Sequence, residues 1–159
     1  MQNSDILLEK GKNVITIDAD RSIHDAIDML NEHRIGALVV MGESKQVAGI
    51  ITERDILRKC GNRCLSMSEH RPPEQNAFTS LVQDTMTKEL VIGVPDDDPN
   101  YAMGVMTKSR IRHLPILDQG SLVGIVSIGD LVNVHLEEKV FESRTLKEYL
   151  ERNATAAQV

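Results

Sequence analysis

The sequence predicts an α/β fold of the α+β kind: two β-α-β-β-α units packed through their sheets about a pseudo-twofold axis, followed by a C-terminal helix. Three observations lead there. A nine-residue motif occurs twice, as Gly49-Ile50-Ile51-Thr52-Glu53-Arg54-Asp55-Ile56-Leu57 and as Gly124-Ile125-Val126-Ser127-Ile128-Gly129-Asp130-Leu131-Val132. Flanking segments repeat with it: Ala26 matches Ala102, Arg34-Ile35 matches Arg110-Ile111, and Leu38 matches Leu114. Finally, each unit taken alone exposes an apolar sheet face, which a second unit covers.

The elements follow in order. Residues 1–12 form a short amphipathic lead-in with Ile6, Leu7 and Leu8 available for packing. Val14 to Ile17 reads as a strand, and Asp18, Asp20 and Ser22 supply turn and N-cap chemistry. Ile23, Ala26, Ile27 and Leu30 trace a helical stripe up to His33. Ile35–Val40 is a short apolar run and reads as a buried strand. Gly42-Glu43-Ser44 is a turn, Val47–Ile51 a strand, and a helix begins by Asp55. The order then repeats: strand Leu90-Val91-Ile92, helix Tyr101–Lys108, strand Ile111–Leu117, turn Asp118-Gln119-Gly120, strand Leu122–Val126 and a helix from Asp130. The repeat offset changes from 76 to 75 residues, so one residue is gained or lost in the hairpin turn. The C-terminal segment from Leu131 reads as one long helix, frayed past Arg152, that packs on its own unit or meets a partner.

The expected domain limits are 8–60 and 81–136, joined by a polar, proline-containing linker at 61–80 and followed by helix and tail at 137–159. The linker is long for a compact domain.

Composition narrows the function. The 159 residues carry 18 Lys and Arg against 24 Asp and Glu, a net charge of −6 without a basic tract. That balance argues against nucleic acid or a membrane surface as a partner. No apolar run approaches a bilayer span, and the first residues lack the form of a signal peptide, so a cytoplasmic location is expected. Cys60 and Cys64 have neither redox nor zinc spacing, and no metal requirement is expected. No P-loop, metal set or nucleophile–base spacing stands out, and an enzyme is not expected.

The repeated motif carries the chemistry. A glycine ends a strand, a hydroxyl follows at the strand end, and an aspartate lies three residues on, near a helix N-terminus. Amide N–H groups and the hydroxyl suit a phosphate, and the carboxylate suits a ribose diol. The same spacing also makes an ordinary capping box.

Together, the two motifs, the strand Arg110-Ile111-Arg112-His113-Leu114-Pro115-Ile116 and the segment Val82-Gln83-Asp84-Thr85-Met86-Thr87 resemble a tandem pair of cystathionine-β-synthase (CBS) domains, a Bateman module, over residues 8–136. The resemblance implies a stand-alone regulatory module that binds an adenosine-containing ligand: AMP, ADP, ATP or NAD(H), with S-adenosylmethionine ranked after them. It also implies two clefts, a homodimer of modules and a regulated protein partner. In the second-motif cleft it implies Ser127 on phosphate, Asp130 on ribose, Arg112 and His113 beside the phosphates, and Gly36, Ala37 and Ile15 against adenine. In the first-motif cleft it implies Thr52 and Asp55, with Arg54 as an added cation. There Gly36-Ala37 replace the pair Arg112-His113, and Arg34 or Arg110 is left to supply charge. The competing expectation is a structural or interaction module with vestigial clefts.

Overall fold

The computed structural model describes residues 1–11, 13–64 and 79–156. Its elements are α1 (Asn3–Lys10), β1 (Thr16–Asp18), α2 (Ile23–His33), β2 (Ala37–Met41), β3 (Val47–Thr52), α3 (Glu53–Cys64), α4 (Pro99–Ser109), β4 (His113–Asp118), β5 (Ser121–Ser127) and α5 (Ile128–Ala156), with a 3-10 turn at Val82–Asp84. The mixed α+β architecture and its duplication are as the sequence predicts.

In the first unit β2 lies between β1, which runs parallel to it, and β3, which runs antiparallel. The second unit has β4 and β5 antiparallel. Its expected strand at Leu90–Ile92 is replaced by a single parallel bridge from Gly93 to Ile116. The physical reason is the chain that follows. Val94 N–H donates to Asp97 Oδ2 at 2.9 Å and Asp97 N–H to the Val94 carbonyl at 3.2 Å, a turn that ends the extended run after one bridge.

Local chemistry explains the helix ends. Ser22 caps α2 by accepting from Asp25 N–H, and Asp25 returns the bond to Ser22 N–H. Asp98 caps α4 and Pro99 fills its first turn, where a missing N–H costs nothing. Arg34 and Arg110 end α2 and α4 in the left-handed conformation, at φ 53° and 55°, so the repeat extends to backbone detail. Helices α3 and α5 start directly after Thr52 and Ser127, two to three residues earlier than the apolar pattern indicates. The offset change also lies where expected. Five residues separate the paired Met41 and Val47, and four separate Leu117 and Leu122.

Each unit has its own core. Ile17, Ile23, Ala26, Leu38 and Ile51 anchor the first, and Ala102, Met106, Leu114, Ile116 and Leu131 the second. The opposite sheet faces are buried as well, at Ala37, Val39 and Ile50 in the first unit and Pro115 in the second. That double burial is what packing through the sheets requires.

The lead-in segments are exchanged. Ile6 and Leu7 of α1 join the second core, while Val82 and Met86 join the first. Asn3 N–H donates to the Asp97 carbonyl at 3.0 Å, and Ile50 and Thr87 exchange both backbone hydrogen bonds. Leu8, expected to pack, is exposed. The first two turns of α5 bury Leu131 and Val134, and beyond them its large apolar side chains from Leu136 to Leu150 are exposed. Residues 65–78, most of the expected linker, lie outside the described residues, and α3 continues to Cys64. The Cys60 thiol is free and half-buried. The Cys64 side chain lies outside the described residues.

Candidate functional site

Strand register builds both halves of the site alike. Ala37 pairs with Thr52, and His113 pairs with Ser127, so the first residue of β2 and of β4 lies beside its motif hydroxyl. The two loops close in the same way: Glu53 N–H donates to the Gly36 carbonyl at 3.2 Å and Ile128 N–H to the Arg112 carbonyl at 2.9 Å.

Both motifs form capping boxes. Asp55 Oδ2 accepts from Thr52 N–H at 2.9 Å and from Thr52 Oγ1 at 2.7 Å. Asp130 Oδ2 accepts from Ser127 N–H at 2.7 Å and from Ser127 Oγ at 2.8 Å. The capping role is therefore real, and it leaves one carboxylate oxygen of each aspartate uncommitted by the cap. The two copies differ at that point. Asp55 Oδ1 accepts from Thr87 Oγ1 at 3.2 Å. Asp130 Oδ1 makes no hydrogen bond among the described residues, while Oδ2 also takes Lys10 Nζ at 2.5 Å.

Lys10 and Thr87 were not singled out from the sequence. Each comes from an exchanged lead-in, and no local pattern links Lys10 to a motif 120 residues away. The available signal was the lead-in's own apolar pair, Ile6-Leu7, which needed a core to join.

His113 and Gly36 come together across the two units. A Cβ placed on Gly36 would lie 3.1 Å from His113 Cε1 and 3.5 Å from Glu53 Oε2. Glycine thus makes room for the imidazole, and Glu53 is a further neighbour that the sequence reasoning missed. Burial pushes the His113 pKa down, and the Lys10 ammonium pushes it further. Glu53 and Asp130 oppose this, and Arg112 adds to the lowering. Burial alone would raise the Asp130 carboxyl, but hydrogen bonds from Lys10 and Ser127 outweigh it and hold it below the usual range.

The remaining expected residues are placed as follows. Arg112 is exposed and Ala37 is buried. Arg54 reaches the second unit, where its Nη1 donates to the Arg110 carbonyl at 3.2 Å. Arg34 and Arg110 are helix C-caps. Ile15 packs on the first core and lines a cleft of about 650 Å³ with Asn13, Met41, Lys45, Gly120 and Leu122. None of the motif residues lines that cleft. Among the described residues no cluster of side chains suits a metal ion, and no helix is long and apolar enough to cross a membrane.

Comparison with known proteins matches this arrangement. The chain is 35% identical over 156 residues to the mitochondrial CBS domain-containing protein CBSX3 of Arabidopsis thaliana, covering 93% of this chain and 71% of that protein. A solved structure of the CBS-domain containing protein ATU1752 from Agrobacterium tumefaciens superposes with a TM-score of 0.75 at 34% identity, covering 84% of this chain and 92% of that one. The CBS domain pair of protein MJ0100, solved in complex with 5′-methylthioadenosine and S-adenosyl-L-methionine, superposes with a TM-score of 0.71 at 26% identity, covering 87% of this chain and 98% of that one. The family profile of the CBS domain matches residues 5–62 and again 82–137. The chain belongs to the CBS domain family and carries the domain twice.

Proposed function

We propose that this chain is a cytoplasmic, non-catalytic regulatory module that binds an adenine nucleotide and changes its partner surface in response. The observation that carries the reading is the state of Asp130. Its Oδ2 is held by Ser127 and Lys10, while Oδ1 makes no hydrogen bond among the described residues and is available to a ribose hydroxyl. Ser127, the N-terminus of α5, Arg112 and His113 are the groups for the phosphate, and Gly36 and Ala37 those for the base, whereas Ile15 lines a cleft that no motif residue borders. The ligands in the MJ0100 structure, both adenosine derivatives, support the ligand class. AMP, ADP, ATP and NADH are the candidates for this chain. Two modules associate as a homodimer in this reading, which the exposed apolar side chains of α5 support. Ligand acts on the partner surface only through unequal affinity for two arrangements of the units.

A specific observation favours the alternative, a structural module, at the first cleft. Both oxygens of Asp55 are engaged by the protein itself, through Thr52 and Thr87. Thermal unfolding separates the two readings. A regulatory module melts higher with rising concentrations of at least one of these nucleotides. A melting curve unmoved by all of them at millimolar concentration contradicts ligand binding.

A further inference from the structure

We propose that Lys10 is a phosphate-selecting residue of the second cleft, so that this cleft takes phosphorylated adenosine in preference to the unphosphorylated nucleoside. The inference rests on the nucleotide-binding reading above and narrows it.

Lys10 is at the cleft because α1 is exchanged. Leu7 packs on Gly124, the first residue of the second motif. Residues three apart share a helix face, so anchoring Leu7 there carries Lys10 over the following motif residues. Its ammonium contacts Asp130 Oδ2 at 2.5 Å and the Ile125 carbonyl at 3.4 Å. An ammonium has three donors. Two are used in these contacts, and the third is unclaimed among the described residues.

The charge pattern says what the third donor suits. Lys10 balances Asp130, so the remaining charge near the motif is set by Arg112, by the positive end of α5 and, beside His113, by the Glu53 carboxylate. His113 lies in the field of both Lys10 and Arg112. The first cleft has neutral residues at the places of Lys10, Arg112 and His113, and carries Glu53 and Arg54 where the second has Ile128 and Gly129. Thr87 stands on Asp55 where Lys10 stands on Asp130. Gly36 and Ala37 stand where Arg112 and His113 stand. Its one added cation, Arg54, is turned to the Arg110 carbonyl. A phosphomonoester carries nearly two negative charges at neutral pH, and adenosine carries none. Any contribution of Lys10 to phosphate binding is therefore read as the difference between AMP and adenosine.

The test is calorimetric titration of AMP and of adenosine into the full chain and its K10M and K10R variants. Methionine keeps an unbranched apolar stem and a comparable helix propensity, so α1 stays in place. The expected result is that K10M weakens AMP by about tenfold or more, as loss of a charge-assisted hydrogen bond does, with adenosine affinity unchanged. K10R retains most of the preference for AMP. Two kinds of result overturn the proposal: an AMP-to-adenosine ratio in K10M equal to that of the unsubstituted chain, whether both affinities are unchanged or weakened equally, or tightening of both. Equal weakening makes Lys10 a positioning group for α1. Tightening makes it a competitor for the ribose position. If the unsubstituted chain binds neither compound, the nucleotide reading itself fails, whereas intact binding with an unchanged ratio removes only the role of Lys10.

Discussion

Leu7 lies directly on Gly124: a Cβ added to that glycine would overlap the leucine side chain, with Cγ at 3.0 Å. Met86 and Thr87 cover Gly49 in the same manner, with Met86 Sδ and the Thr87 carbonyl oxygen each 2.7 Å from an added Cβ. The glycine that opens each motif is thus the place where the lead-in of the other unit lands. The obstacles differ in kind, and this gives a prediction. Gly124→Ala destabilises the chain by about 1–3 kcal/mol through overpacking, and adding Leu7→Ala relieves that term. Gly49→Ala is not relieved by Met86→Ala, because the Thr87 carbonyl is fixed by its bond from Ile50 N–H at 3.0 Å. Denaturant unfolding of the single and double variants measures both couplings.

Among the described residues three Ser/Thr–Asp capping boxes occur, at Ser22–Asp25, Thr52–Asp55 and Ser127–Asp130, and only the last two belong to the motif. Ser22→Ala and Ser127→Ala each lose about 1 kcal/mol of stability as a cap is removed. Ser127→Ala also weakens AMP binding, and Ser22→Ala leaves it unchanged. Equal effects on AMP would make the motif hydroxyl a cap alone.

His113 gives the pH dependence. Its folded pKa lies below its ordinary value of 6.5, so between the two values the unfolded chain binds the extra proton. Stability is full above about 6.5 and falls as pH drops through the folded pKa. His113→Gln stays uncharged and removes this contribution. The fall in melting temperature between pH 7 and pH 5 is expected to be smaller in the variant, and an unchanged fall would contradict the assignment.

The outer part of α5 offers apolar side chains with no core to join: Leu136, Val140 and Phe141 are 57%, 51% and 72% exposed. The homodimer reading predicts that replacing all three by Glu converts a dimer to a monomer in analytical ultracentrifugation, with little change in melting temperature at matched monomer content. A dimer that survives the substitutions places the interface elsewhere.

Much of this was legible in the sequence because it is written in local pattern. The duplicated motif, the helical stripe at Ile23–Leu30 and the hairpin turn at Asp118-Gln119-Gly120 each state their structure within a few residues. In that hairpin Gln119 and Gly120 both have positive φ, as a two-residue connection between twisted strands requires. The missing strand at Leu90–Ile92 was not legible. Its apolar run is strand-like, but the turn made by Val94 and Asp97 limits it to one bridge. Lys10 and Thr87 were hidden for another reason. Their place at the motifs depends on the exchange of lead-ins, a long-range relationship that periodicity does not encode. The motif aspartates were found, but their unequal state was not, because it is set by those same partners.

The most direct measurement of the central claim is an equilibrium binding isotherm of AMP for the unsubstituted chain and for Asp130→Asn. The substitution keeps an acceptor for Ser127 N–H and removes the carboxylate charge that holds Lys10 and that, in the proposed site, would hold the ribose. The account predicts saturable binding to the unsubstituted chain and a loss of about tenfold or more in Asp130→Asn. An affinity for AMP that is identical in the two proteins would contradict the placement of the nucleotide at Asp130.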